Sequence, residues 1–241
     1  MRPEGLRPEW PAPPNVAAFS SFRSGGVSEG PFRGLNLAAH VGDETARVEE
    51  NRRRLLAGLH LPAAPVWLQQ THGTKVVEAA AGGAPEADAA WTRSPGVVCA
   101  VLTADCLPLL LCDLTGSKVA AVHAGWRGLA AGVIENAVAA LQPAELMAWL
   151  GPAIGPEAFE VGGELRERFV SRHSSYASAF RRGRGDRWHA DLYLLARLIL
   201  EGRGIGRIYG GGLCTHGDPQ HFFSHRRDGC CGRMATLIWR S

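Results

Sequence analysis

Three apolar runs do most to fix how this chain can fold: Gly96 to Leu102, Leu107 to Cys112 and Lys118 to His123. A strand with one face in water alternates apolar and polar residues, whereas an unbroken apolar run reads as a strand covered on both faces. Glu145 to Leu150 reads as a fourth such strand. Buried strands of this kind need helices or a second sheet to cover them. The expected fold class is therefore α/β (mixed α+β), with a mixed β-sheet core flanked by helices.

The rest of the chain supplies those covers. Val48, Leu55, Leu56 and Leu59 recur at helical spacing over Glu44 to Leu59, where Asp43 or Thr45 can cap the start. Further helices are expected over Leu129 to Leu141, Gly163 to Val170 and Asp191 to Glu201. Further strands are expected over Asn15 to Phe22, Val66 to Gln70, Lys75 to Ala79, Ile205 to Tyr209 and Arg233 to Trp239, with a small-residue loop over Ala80 to Ala90. No repeat or shift in composition marks a boundary, so residues 1–241 read as one domain, with the Pro-rich residues 1–14 as a loose N-terminal arm.

Composition excludes several function classes. The net charge of +3 is mild, and the basic residues, nearly all Arg, are scattered among acids with no aromatic-studded stripe for nucleic acid. The apolar runs are too short to span a bilayer, and the first residues lack the apolar segment of a secretory signal. The chain is thus expected in the cytoplasm, where its six cysteines read as thiols or ligands and not as disulfides.

Three segments share one design, a His or Cys beside a small residue where a buried strand is expected to end. They are Gln70-Thr71-His72-Gly73, Thr103-Ala104-Asp105-Cys106 and Val122-His123-Ala124-Gly125. Two imidazoles and a thiolate suit zinc, whose catalytic sites use three protein ligands and keep a fourth position open. Water on such a metal can lose a proton near neutral pH. The long spacing does not by itself dictate a site, since a lone His or buried Cys is commonly structural.

The order of motifs adds a second line of argument. Gly25-Gly26-Val27-Ser28, Asn36-Leu37, Gln70-Thr71-His72-Gly73, Thr103-Ala104-Asp105-Cys106-Leu107-Pro108, His123-Ala124-Gly125-Trp126-Arg127-Gly128, Gly151-Pro152-Ala153-Ile154-Gly155 and Phe222-Phe223-Ser224-His225-Arg226-Arg227-Asp228-Gly229 occur in sequence. Together they closely resemble the YfiH/laccase-domain family, long labelled polyphenol oxidase or multicopper oxidase. Its members are described as purine nucleoside phosphorylases with adenosine deaminase activity. The resemblance covers nearly the whole chain and implies a CNF1/YfiH-like catalytic domain. It places the family's zinc ligands on His72, Cys106 and His123, the same three residues. It also implies adenosine, inosine and methylthioadenosine as substrates, cleaved with phosphate to base and (methylthio)ribose-1-phosphate. One departure is that Cys214-Thr215-His216-Gly217 lacks the second cysteine of a Cys-Thr-aromatic-Cys pattern.

Other residues carry open alternatives. Arg127, before an expected helix, can cradle phosphate with the helix N-terminus or simply stack on Trp126. Arg23, beside the Gly25-Gly26 turn, can hold an anion or belong to a plain turn. Asp105 can accept a proton, orient a metal-bound His, or cap local amides. Cys214, His216, Cys230 and Cys231 match no zinc-finger spacing and read as structural, and Arg226, Arg227 and Asp228 read as an ion-pair network. His40, His216 and His225 carry no assigned role.

The expected activity is therefore zinc-dependent phosphorolysis of purine nucleosides, with deamination as an accompanying reaction, although the H-x-E and P-C-x-x-C deaminase signature is missing. The alternatives are copper-dependent polyphenol oxidation, with copper as the second choice of metal, a cysteine hydrolase built on Cys106, or a peptidoglycan-editing factor. The expected partners are a small-molecule nucleoside and phosphate, with no nucleic acid and no membrane, acting on a monomer.

Overall fold

In the computed structural model, which describes residues 3–80, 82–142 and 144–241, the apolar runs become the two middle layers of a four-layer stack. One sheet has six strands in the order Ile208–Gly210, Leu146–Leu150, Leu107–Asp113, Val119–Ala124, Ala89–Thr92 and Val76–Glu78. Its two outermost pairings are parallel and the inner three antiparallel, so it is a mixed sheet. The second sheet is antiparallel throughout, in the order Gly5–Leu6, Val16–Ser21, Met234–Arg240 and Val98–Thr103.

Alternation along the central strands shows why no polar residue interrupts them. Leu107, Leu109 and Leu111 point towards the helices Val133–Leu141 and Leu192–Glu201. Leu110 and Cys112 point the other way, against Cys99, Val101 and Ile238 of the second sheet. The outer face of that sheet, with Ala100, Leu102 and Leu237, is covered by Leu55 of the helix Thr45–Leu59. Both faces of both sheets are dry, and burial of Val, Leu and Ile side chains at roughly 1.5–3 kcal/mol each is the main source of stability.

A third, small sheet in the order Phe180–Arg182, Trp188–Ala190 and Glu160–Val161 lies outside the expected elements. Its strands are too short to show a period. No helix among the described residues is long and apolar enough to cross a membrane.

Several expectations need correction. Val66 to Gln70 forms only isolated bridges, from Val66 to Cys99 and from Gln69 to Glu86. The Gln70 side chain takes the place of a strand: its amide donates to Leu102 O at 2.8 Å and accepts from Leu102 N at 2.7 Å. The helix expected over Leu129 to Leu141 is two helices, Trp126–Ala131 and Val133–Leu141, parted at Gly132, whose φ of 106° is open to glycine and strained for other residues. The expected arm is docked from Gly5 onward, because Gly5 and Leu6 pair with Ser21 and Ser20; residues 1 and 2 lie outside the described residues. The loop expected over Ala80 to Ala90 ends early, since Ala89 starts a strand; Ala81 also lies outside the described residues. Neither Asp43 nor Thr45 is the N-cap of the helix Thr45–Leu59. That position is Glu44, while the Asp43 carboxylate accepts from Glu44 N, Ser28 Oγ and Asn36 Nδ2.

Asn51 ties that helix to the loop that follows the strand Val16–Ser21. Fully buried, its side chain accepts from Val27 N and donates to Ser28 Oγ, Asn36 O and Gly34 O. Asn51→Leu keeps the branched outline but strands these partners in the interior. We expect a loss of about 2–4 kcal/mol, seen as a lower urea midpoint with an unchanged slope.

Candidate metal centre and active site

Asp88 organises the site from beneath. Completely buried just before the strand Ala89–Thr92, its carboxylate accepts from the main-chain N–H groups of Thr71 (3.2 Å), His72 (2.9 Å) and Gly73 (2.6 Å) and from the Thr71 hydroxyl (3.1 Å). This clamp holds His72 in the left-handed region, at φ 60°, a conformation that costs a non-glycine residue free energy unless its surroundings impose it. The same carboxylate meets His123 Nδ1 at 2.8 Å. Burial pushes the Asp88 pKa up, but hydrogen bonds from His123, Gly73 and Thr71 outweigh it and hold the group below the usual carboxylate range. An ionised Asp88 can only accept, so His123 Nδ1 carries the proton and Nε2 is left as a ligand atom.

Cys106 and His123 are brought together by strand pairing. Cys106 immediately precedes the strand Leu107–Asp113, whose Pro108 lies opposite His123 in the strand Val119–Ala124. His123 does not follow a strand end, as expected from sequence, but lies inside the strand and is buried. His72, Cys106 and His123 each offer one ligand atom, and the three atoms lie within 4.8 Å of one another. The two imidazoles meet nearly edge-on, with 4.8 Å between centroids.

Gly125 explains why the histidine motif continues as it does. A Cβ there would sit 3.0 Å from Cys106 Sγ, 3.0 Å from His72 Cδ2 and 3.6 Å from His123 Cε1. The main chain therefore runs close against all three side chains, and any larger residue there would press on Cys106 and His72. Burial pushes the Cys106 thiol up, but the charge and hydrogen bonding of His123, with His72, bring it down to about 6. Burial likewise disfavours charge on His123, yet Cys106 and Asp88 raise its pKa. Two nitrogens and an ionisable sulfur converging at this spacing fit a tetrahedral N/S-preferring ion such as zinc.

A cavity of about 180 Å³ opens onto this centre, lined by His72, Cys106, Trp126, Arg127, Phe159 and His225 among others. A second, of about 370 Å³, shares His72, Trp126 and Arg127 and adds Arg168. Arg127 stacks on Trp126 at 4.5 Å and also lines both cavities, so the stacking does not take it away from the site. The helix behind it, Trp126–Ala131, has only six residues, so the guanidinium and not a helix N-terminus is what it offers an anion.

The other candidate residues divide differently. Asp105 lines the cavity at φ 89°, but its two oxygens accept from Thr215 Oγ1 and Arg226 N, both at 2.6 Å. It fixes the turn that presents Cys106, and the proton-carrier role expected for it gains no support. Arg23 is not brought to the centre: it lines a separate cavity with no lining residue in common. Cys214 Sγ accepts from Gly155 N, and His216 offers its carbonyl to Arg227. Arg227 and Asp228 pair at 2.7 Å as expected, whereas Arg226 lies over Phe159 at the cavity.

Sequence reasoning missed Asp88 and gave no role to His225. The one available signal for Asp88 was an acid directly before a short apolar strand. His225 Nδ1 donates to Gly229 O at 2.6 Å, which leaves Nε2 as the uncommitted nitrogen of a cavity-lining imidazole.

Known proteins give the site its context. The family model described as "Multi-copper polyphenol oxidoreductase laccase" matches residues 17–241, and the chain belongs to that family. A Pseudomonas aeruginosa relative named purine nucleoside phosphorylase is 53% identical over 237 residues, covering 97% of each chain. The Escherichia coli purine nucleoside phosphorylase YfiH is 52% identical, covering 96% of this chain and 97% of its own. Among solved structures, a Neisseria meningitidis protein superposes with a TM-score of 0.95 at 49% identity, covering 98% of this chain and 99% of its own. YlmD from Geobacillus stearothermophilus superposes at 0.91 with 30% identity, covering 100% and 97%.

Proposed function

We propose that this chain is a zinc-dependent purine nucleoside phosphorylase acting on adenosine, inosine and methylthioadenosine. The observation that carries the reading is the convergence of His72, Cys106 and His123 beside a cavity that His72 and Cys106 line and that shares Arg127 with a second, arginine-lined one. The relatives' names point to the same reaction.

Phosphorolysis joins a phosphate oxygen to C1′ of the sugar and breaks the C1′–N9 bond, whose electron pair leaves with the purine. Arg127, which lines both cavities, would hold the phosphate beside the nucleoside. Trp126 and Phe159 offer apolar faces to the base. His225, with Nδ1 committed to Gly229, offers Nε2 for proton exchange with the departing purine. His72, Cys106 and His123 would hold the zinc, which when bound supplies positive charge to stabilise developing negative charge and to activate water. That second ability is the basis for expecting adenosine deamination as an accompanying reaction, in an enzyme of the cytoplasm that works as a monomer.

One observation favours a second reading. Cys106 is drawn down to about 6 beside His123, the arrangement of an activated cysteine nucleophile. Chelation separates the two, because it abolishes metal chemistry and spares a thiol hydrolase. Copper is the second choice of metal. A blue-copper site wants a nearby methionine, but Met234 Sδ accepts from Phe223 N and Met147 is in the core.

The test is product analysis of adenosine incubated with zinc-loaded and chelated protein, with and without phosphate. Adenine and ribose-1-phosphate, formed only with both zinc and phosphate, are the expected products. Inosine without a phosphate requirement would make the protein a deaminase first. No turnover in any condition would overturn the reading.

A further inference from the structure

The loop after the strand Val16–Ser21 was singled out by its Arg23-Ser24-Gly25-Gly26 sequence, and the metal centre leaves it unused. Its backbone is folded tightly on itself. A Cβ on Gly34, at φ 111°, would lie 2.0 Å from Arg23 O, and one on Gly26 would lie 2.2 Å from Gly34 O. Leu35 N donates to Arg23 O at 2.6 Å, Ser28 and Gly34 exchange main-chain bonds at 3.1 and 3.0 Å, and buried Asn51 fastens Val27. The loop is therefore preformed.

Within this rigid frame the main-chain N–H groups of Ser24, Gly25 and Gly26 find no acceptor among the described residues. All three residues line a cavity of about 530 Å³, together with Arg23, Arg33 and Gln220. Successive unpaired N–H groups around a glycine at positive φ, here Gly25 at 86°, form the kind of concavity that takes anions. Arg23 donates to the carbonyls of Pro219 (3.2 Å) and Arg33 (3.5 Å) and lies over Phe223 at 4.4 Å. Neither Arg23 nor Arg33 meets a carboxylate among the described residues. The acids nearby are otherwise engaged: Glu29 pairs with Arg47 at 2.8 Å, and Glu4 accepts from Ser24 Oγ at 2.5 Å. Burial is the main influence on the Arg23 guanidinium and lowers its pKa, a cost that a bound anion would offset.

We propose that this loop, with Arg23, Arg33 and the N–H groups of residues 24–26, is a second, phosphate-binding site separate from the metal centre. The cavity is large enough for a phosphate carried on a nucleotide as well as for the free ion.

Because the proposed function puts a phosphate on Arg127, calorimetric titration with inorganic phosphate and with adenosine 5′-monophosphate tests this on zinc-loaded Arg127→Ala protein, alone and combined with Arg33→Glu, Arg23→Gln or Cys106→Ala. Arg33 is exposed, so reversing its charge leaves the fold intact; Arg23→Gln is interpreted only alongside an unchanged melting temperature. Both substitutions should weaken binding by about tenfold or more, while adding Cys106→Ala leaves binding as in Arg127→Ala alone. Tighter binding of the nucleotide would assign the site to a nucleotide phosphate, and equal binding to the free ion; either supports the site. Unchanged affinity in Arg33→Glu, loss of binding in Cys106→Ala, or saturable binding of neither probe would overturn it.

Discussion

Cys106→Ala should lower phosphorolysis of adenosine by roughly a thousandfold or more, about 4 kcal/mol of lost transition-state stabilisation, and should leave the protein folded. The Cys106 side chain faces a cavity, so its removal opens no hole in the packed layers. It supplies the only sulfur of the triple, and two imidazoles alone make a weaker and less selective zinc site. Zinc affinity should therefore fall with activity, measured by competition with a chromophoric chelator. His72→Ala should behave alike, because His72 sits on an exposed turn. His123→Ala should not, because it removes a buried ring and one of the five donors that Asp88 accepts from. Full activity in Cys106→Ala with bound zinc would rule the triple out as the catalytic centre.

The largest loss of stability should come from Asp88→Ala. It strands three main-chain N–H groups, a hydroxyl and the Nδ1–H of His123 in a dry interior. We expect a cost of roughly 3–5 kcal/mol. If that variant does not fold, Asp88→Asn keeps the shape but presents one donor where two acceptors are needed. Its zinc affinity should drop about 10–100-fold, the usual consequence of losing a partner behind a metal-binding imidazole. The pH dependence has a definite sign. Since the folded state holds Asp88 below the usual carboxylate range, its stabilisation is complete above about pH 4 and drains away as the pH falls further. The stability gap between unaltered protein and Asp88→Asn should therefore close in acid; a constant gap would mean that the charge of Asp88 contributes nothing.

The contrast between Cys106 and Asp88 shows what could be read from the sequence. Cys106 and His123 stand at apolar runs whose length and lack of polar breaks announce buried strands, so the mixed sheet was legible, whereas His72 follows a polar-ended segment that forms no strand and joins them through the order of motifs. Asp88 sits among alanines in a stretch without period, and its importance comes from five donors gathered from segments up to 35 residues away. No local pattern encodes that. Asp105 was open between proton transfer, orienting a histidine and capping backbone amides, and its partners, the Thr215 hydroxyl and Arg226 N, lie over a hundred residues along, where no local pattern reaches. Arg23, beside a glycine turn, and Arg127, before an expected helix, were both candidates to hold an anion, and only the third dimension separates them into different cavities.

The position of the strand Met234–Arg240 between Val16–Ser21 and Val98–Thr103 bears on how the protein is made. Ser20 and Thr236, hydrogen-bonded side by side, are 216 residues apart in the chain. Until residues 234–240 leave the ribosome, two apolar strands have unpaired edges and the layer behind Cys106 is incomplete. The layer behind the His72, Cys106 and His123 cluster is therefore completed only by the last strand of the chain, and until then its neighbours present the open apolar edges that favour aggregation.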